Sequence, residues 1–135
     1  MIAPRKTKFR TAFLRYNRGI ASKGTELIYG EVGIVSLENA FITPNQIEAA
    51  RRVIANTTKR AGKVWIRIFP DQPTTKKPAN VRMGSGKGPI DKYVAPVQAG
   101  KVVFEIGGID RKLATLALTK AAKKLPINIR LIEKE

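Results

Sequence analysis

The sequence predicts an α+β fold: two helices packed on one face of a mostly antiparallel sheet, with a basic N-terminal arm and a long Gly/Pro-rich loop. Three observations predict it. Hydrophobic residues make up 43% of the 135 residues, enough for one modest core in a single domain. From residue 43 the hydrophobic period switches in the order helix, strand, long loop, hairpin, helix, strand. Ahead of that, residues 1–24 hold seven basic side chains (Arg5, Lys6, Lys8, Arg10, Arg15, Arg18 and Lys23) and no acidic one. That stretch cannot bury enough surface to order itself, so it reads as an arm over 1–24 ahead of a single domain over 25–135. Phe9, Phe13 and Tyr16 lie among these charges, placed to anchor the arm or to stack on bases.

Taken in order, Leu27, Tyr29 and the run 34–37 read as one or two short strands broken by Gly30 and Gly33. A helix starts at Thr43, which caps it, with Pro44 at the first helical position and Gln46 completing a capping box. Ile42 and Ile47 are spaced as a hydrophobic staple. The stripe Ile47, Ala50, Val53, Ile54 and Ala61 carries the helix to about residue 61, where Gly62 ends it. Residues 63–69 form a strand with Val64, Ile66 and Ile68 on one side and Trp65, Arg67 and Phe69 on the other, stopped by Pro70. Trp65 reads as a packing residue rather than a base-stacking one.

Residues 71–88 have no apolar periodicity and read as a loop; at that length a loop is functional or disordered. Segments 93–97 and 101–106 read as a hairpin turning at residues 98–100. Asp110 caps a second helix with Leu113, Leu116, Ala117, Ala121 and Leu125 facing the core, and 127–132 is the last strand.

Composition excludes much chemistry. With no Cys and no His there are no disulfides, no thiolate or imidazole metal site and no imidazole catalysis. No run reaches the length of a membrane span, and no apolar stretch follows the basic start, so the sequence predicts no secretory signal and an aqueous interior. No cofactor is implied. The loop piece Met83-Gly84-Ser85-Gly86-Lys87-Gly88 fails as a phosphate-binding nucleotide loop, because Val81 and Gly88 stand where a glycine and a hydroxyl residue are required. It fits better against a nucleic-acid backbone, where glycines allow close approach and Lys87 meets phosphate. Glu48, Glu105 and Asp110 are scattered and read as solvated or capping.

The strongest signal is the net charge of +16, concentrated in the arm, a helix face and the glycine loop. Phosphate neutralisation with counterion release explains that concentration. A membrane binder would carry a basic amphipathic helix with exposed aromatic and leucine side chains, and neither helix fits. With no helix–turn–helix or zinc finger, and with strands, loops and an arm suited to irregular shapes, RNA is favoured over DNA.

Five motifs in this order carry a resemblance: Pro4-Arg5-Lys6-Thr7-Lys8-Phe9-Arg10, Ile47-Glu48-Ala49-Ala50-Arg51-Arg52, Lys63-Val64-Trp65-Ile66-Arg67-Ile68-Phe69-Pro70-Asp71, Arg82-Met83-Gly84-Ser85-Gly86-Lys87-Gly88 and Lys123-Lys124-Leu125-Pro126-Ile127. Over essentially the whole chain they resemble the bacterial-type large-subunit ribosomal protein L-sixteen family. The resemblance implies a non-enzymatic constituent of the large subunit. Such a protein binds large-subunit rRNA beside the aminoacyl-tRNA site, contacts neighbouring ribosomal proteins and is added late in assembly. It implies that the arm contacts rRNA and that the loop of Arg82, Met83, Gly84, Ser85, Gly86, Lys87 and Gly88 lies near tRNA. The rRNA-binding set expected with that partner is Arg5, Lys6, Lys8, Arg10, Arg18, Lys23, Arg51, Arg52, Lys59, Arg60, Lys63 and Arg67. The chain departs from the family pattern at 11–19, which is longer and more apolar, and has Tyr93-Val94 where the family has Trp-Val. The implied location is a ribosome in an organelle, plastid or mitochondrial, or in a bacterial cytoplasm. Two rival readings stand beside it, a free RNA-binding assembly factor or chaperone, and an enzyme using Lys87 with a carboxylate on a phosphorylated substrate.

Overall fold

The computed structural model describes residues 2–9, 11–14, 17–84 and 86–134; the expectations placed on Arg10, Arg15, Tyr16 and Ser85 lie outside the described residues. The described chain runs β1 (Val32–Ser36), β2 (Ala40–Ile42), α1 (Pro44–Thr57), β3 (Lys63–Ile66), β4 (Gln72–Thr75), β5 (Ile90–Val97), β6 (Val102–Gly107), α2 (Arg111–Ala122) and β7 (Ile129–Glu133). The α+β class and the antiparallel pairing hold, but the strands divide into two sheets, ordered β3-β6-β1-β7 and β2-β5-β4.

Pairing register sets the two faces of the larger sheet. Val64, Ile106 and Val32 form one cross-strand row, and Trp65, Glu105 and Gly33 form the next. Successive rows point to opposite faces. The first face, with Ile34, Phe104 and Ile66, receives the helices and builds the core with Ile47, Ala50, Ile54, Ala114, Ala117 and Leu118. The second face is covered by the segment ahead of β1, where Leu27 lies so close to Gly33 that a Cβ there would meet its Cδ2 at 2.5 Å. With cover on both sides, all five residues of β1 are buried.

Helix α1 begins as the sequence dictates. The Thr43 hydroxyl accepts from the Gln46 N–H at 3.3 Å and the Gln46 side chain accepts from the Thr43 N–H at 3.0 Å. It ends earlier than the stripe implies. The Thr58 hydroxyl donates back to the Ile54 carbonyl at 2.9 Å, and Lys59 and Arg60 take left-handed backbone angles, φ 53° and 65°. Gly62 then has φ 71°, and a Cβ on it would sit 2.5 Å from the Gly107 carbonyl oxygen. Strain and clash together predict that Gly62→Ala costs at least about 2 kcal/mol, read from the urea midpoint.

Four further expectations need correction. Segments 93–97 and 101–106 are not a hairpin, because both edges of β6 are already taken, by β1 and β3, and β5 is left to pair with β2 and β4 in the other sheet. Part of the 71–88 loop is a strand: β4 pairs with β5, and Pro73 is tolerated there because an edge strand need not use every N–H. The buried stripe of α2 is Ala114, Ala117, Leu118 and Ala121, while Leu116 is 48% exposed; the helix is rotated to bring its small residues against α1 and the sheet. Asp110 occupies the N-cap of α2 but its side chain makes no capping bond.

Residues 17–24 are fastened to the domain. The Asn17 side-chain amide donates to the Ala40 and Val97 carbonyls, both at 2.9 Å, and the Val102 N–H donates to the Gly24 carbonyl at 2.8 Å. Among the described residues no helix is long and apolar enough to cross a membrane.

Candidate nucleic-acid interface

The predicted cations fall into three regions. Arg5, Lys6 and Lys8 are exposed on the arm, with the Lys8 ammonium 5.5 Å from the centre of the Phe9 ring. Arg18 and Lys23 are exposed where the arm meets the domain.

Around α1, Arg52, Lys59, Arg60 and Lys63 are exposed and Arg51 is half-buried. Glu48 lies between the two helix arginines. Arg51 Nε donates to Glu48 at 2.9 Å, and Arg52 Nε lies 3.3 Å from the same carboxylate. The hydrogen bond from Arg51 outweighs partial desolvation and, with the two positive charges, lowers the Glu48 pKa to about 2. The carboxylate stays charged at neutral pH and offsets part of this patch: Glu48 is neither simply solvated nor capping but pairs with both guanidinium groups.

The third region is the glycine loop. Gly84 and Gly86 have φ 117° and 93°, a backbone only glycine adopts freely, and nothing lies within 4 Å of a Cβ built on either. Arg82, Met83 and Lys87 are exposed, Met83 at 92%. The loop base is closed by the Lys76 N–H donating to the Pro89 carbonyl at 3.2 Å, and Gly88 sits tightly against the Lys76 backbone. Lys77 donates to the Gly84 carbonyl. Lys87 donates to the Ala12 carbonyl at 2.7 Å and lies 5.6 Å from the Phe13 ring centre. Arm and loop therefore meet, which no spacing in the sequence revealed.

Arg67 stands apart from this set. Its guanidinium is ion-paired with Glu105 and its side chain is only 13% exposed. Glu105 is fully buried, which corrects its reading as a solvated or capping carboxylate. One of its oxygens accepts the N–H groups of Ile28, Tyr29 and Gly30 at 2.9, 3.0 and 3.0 Å. Burial alone would raise its pKa; the Gly30 N–H, Arg67 and the other two N–H groups overcome that and hold it below the ordinary carboxylate value. Gly30 is required here, since a Cβ would lie 2.7 Å from the Ile106 carbonyl oxygen. The signal that could have revealed Glu105 is a single carboxylate inside the otherwise apolar run 102–106.

The sequence profile of the ribosomal protein L16p/L10e family matches residues 4–132. The large ribosomal subunit protein uL16 of Rhodopseudomonas palustris strain BisB5 is 52% identical over 132 residues, covering 98% of this chain and 96% of that one. The uL16 of Borrelia turicatae strain 91E135 is 54% identical over 127 residues, covering 94% and 92%. With the glycine loop and nearly all of the arm and of both sheets inside the matched span, the chain belongs to the ribosomal protein L16p/L10e family.

Proposed function

We propose that the chain is a structural constituent of the large ribosomal subunit, binding large-subunit rRNA through its arm and the α1 region and presenting the loop around Arg82–Gly88 to tRNA at the aminoacyl site. It works without catalysis, in a bacterial or organellar ribosome. The observation that carries this is the near full-length kinship combined with a surface whose surplus cations cluster in three regions. An isolated domain with net charge +16 repels itself; phosphates relieve that repulsion and release their counterions. Arg67 leaves the proposed contact set, because its charge is spent on Glu105.

Co-sedimentation tests the assignment. A constituent stays with the large subunit through a high-salt wash, whereas a free assembly factor or chaperone leaves in the wash. For the loop, Arg82→Ala combined with Lys87→Ala is expected to slow tRNA accommodation on purified ribosomes while the free protein keeps its unfolding free energy to within about 1 kcal/mol, since both side chains are exposed. Normal accommodation by ribosomes carrying the pair removes the loop from the tRNA site.

A further inference from the structure

The buried Glu105 network holds up a ring that the contacts described so far leave uncovered. The Tyr29 N–H is fixed by Glu105, and its ring stacks on Trp65 with centroids 5.9 Å apart and planes 19° from parallel. The Arg67 guanidinium lies 5.5 Å from the ring centre. Each neighbour on this pedestal is itself anchored: Trp65 in β3 opposite Glu105, Arg67 by its ion pair and by a 3.2 Å bond to the Glu26 carbonyl. Yet Tyr29 is 58% exposed and Ile28 beside it 59%. Ile28, next to Tyr29 in the chain, lines an open hollow of about 290 Å³ together with Ser22, Lys23, Gly24, Thr25 and Glu26.

The geometry points to Tyr29 as a stacking platform for one unpaired RNA base. This rests on the reading that RNA is the partner. A ring whose backbone is pinned and whose one side is backed by an indole loses little freedom on binding, so the contact energy of a base is not spent on ordering the ring. Lys23, exposed and lining that hollow with Glu26, supplies a cation for a phosphate of the same strand. Charge decides the occupant: an anionic polymer carrying flat apolar bases satisfies both the ring and the surplus of sixteen positive charges, which a protein neighbour covering the same ring would not.

The test uses the full chain and two single-stranded ligands of equal length, an oligoribonucleotide and its abasic ribose-phosphate counterpart. Wild type is expected to bind the base-bearing strand more tightly, and Tyr29→Leu to lose roughly 5- to 150-fold toward that strand only. Tyr29→Phe keeps the ring and keeps the affinity. The salt slope stays the same in all three, because no phosphate contact is removed. The urea midpoint of each variant checks that the pedestal beneath the ring is intact in Tyr29→Leu and in the milder Tyr29→Phe. Equal binding of the base-bearing strand by wild type and Tyr29→Leu overturns the platform while leaving the RNA reading in place. Failure of wild type to bind either strand overturns both.

Discussion

Glu105→Ala is expected to cost about 3–5 kcal/mol, the largest stability loss of any single side-chain truncation outside the apolar core. The change strands a largely buried guanidinium and three N–H donors in one step. Against a total stability of about 5–15 kcal/mol, that removes a large share of the folded population's margin. Glu105→Gln keeps an accepting oxygen for the N–H groups but turns an amide toward Arg67, so it falls between. Pairing Glu105→Leu with Arg67→Met separates the contributions. It restores only the portion due to the unpaired charge, because Ile28, Tyr29 and Gly30 still lack an acceptor. Urea unfolding of the four proteins measures this; an undiminished midpoint in Glu105→Ala would remove the clamp from the account. The pH dependence follows from the lowered carboxylate pKa. In the unfolded chain the group takes up its proton near pH 4.3, and in the folded chain lower still. Its stabilisation is therefore fully present above that unfolded value and lost as pH falls through the folded one. Glu105→Gln lacks this acid-sensitive portion, so its stability curve is flatter below about pH 4.

Neutralising the arm is the second large effect, and it falls on binding instead of folding. Changing Arg5, Lys6, Lys8 and Arg10 together to Gln removes four cations while leaving Ile2, which packs against the core, in place. Each phosphate contact to a single strand contributes about 0.7 to the slope of log affinity against log salt, so the slope magnitude drops by about 3 if all four engage. Extrapolated from 1 M salt, that is a loss of about 10²- to 10³-fold at 0.1 M. Filter binding across a salt series on an rRNA fragment reads it directly. A drop near 1 would assign a single arm cation to RNA and leave the rest in solvent.

Local signals in the chain proved the most legible. The Thr43, Pro44 and Gln46 start of α1 could be read because a capping box joins residues three apart. The same holds for the aliphatic alternation of Val64, Ile66 and Ile68, which all pack on the core, although β3 itself ends at Ile66 and not at residue 69. What stayed hidden depended on distant partners. Glu105 is 75 residues from Gly30 and 38 from Arg67, so its buried role has no neighbour-scale trace. The division into two sheets turns on β1 and β3 claiming β6, again a long-range competition. Leu116 and Leu118 both fit a helical stripe; which one is buried is decided by the packing partner, not by the period. Among the interface residues, the arm and the glycine loop were visible as charge and as glycine spacing, while the diversion of Arg67 to a carboxylate was not.

The two consecutive left-handed residues after α1 set stability and recognition against one another. Lys59 and Arg60 each sit where glycine would be more comfortable by about 1 kcal/mol. A thermostability screen blind to nucleic acid would therefore enrich Lys59→Gly, and every such winner would have discarded a positive charge from the patch beside α1. Engineering this scaffold for heat resistance would thus erode its affinity for polyanions at the same codon, a trade fixed by backbone geometry rather than by chance.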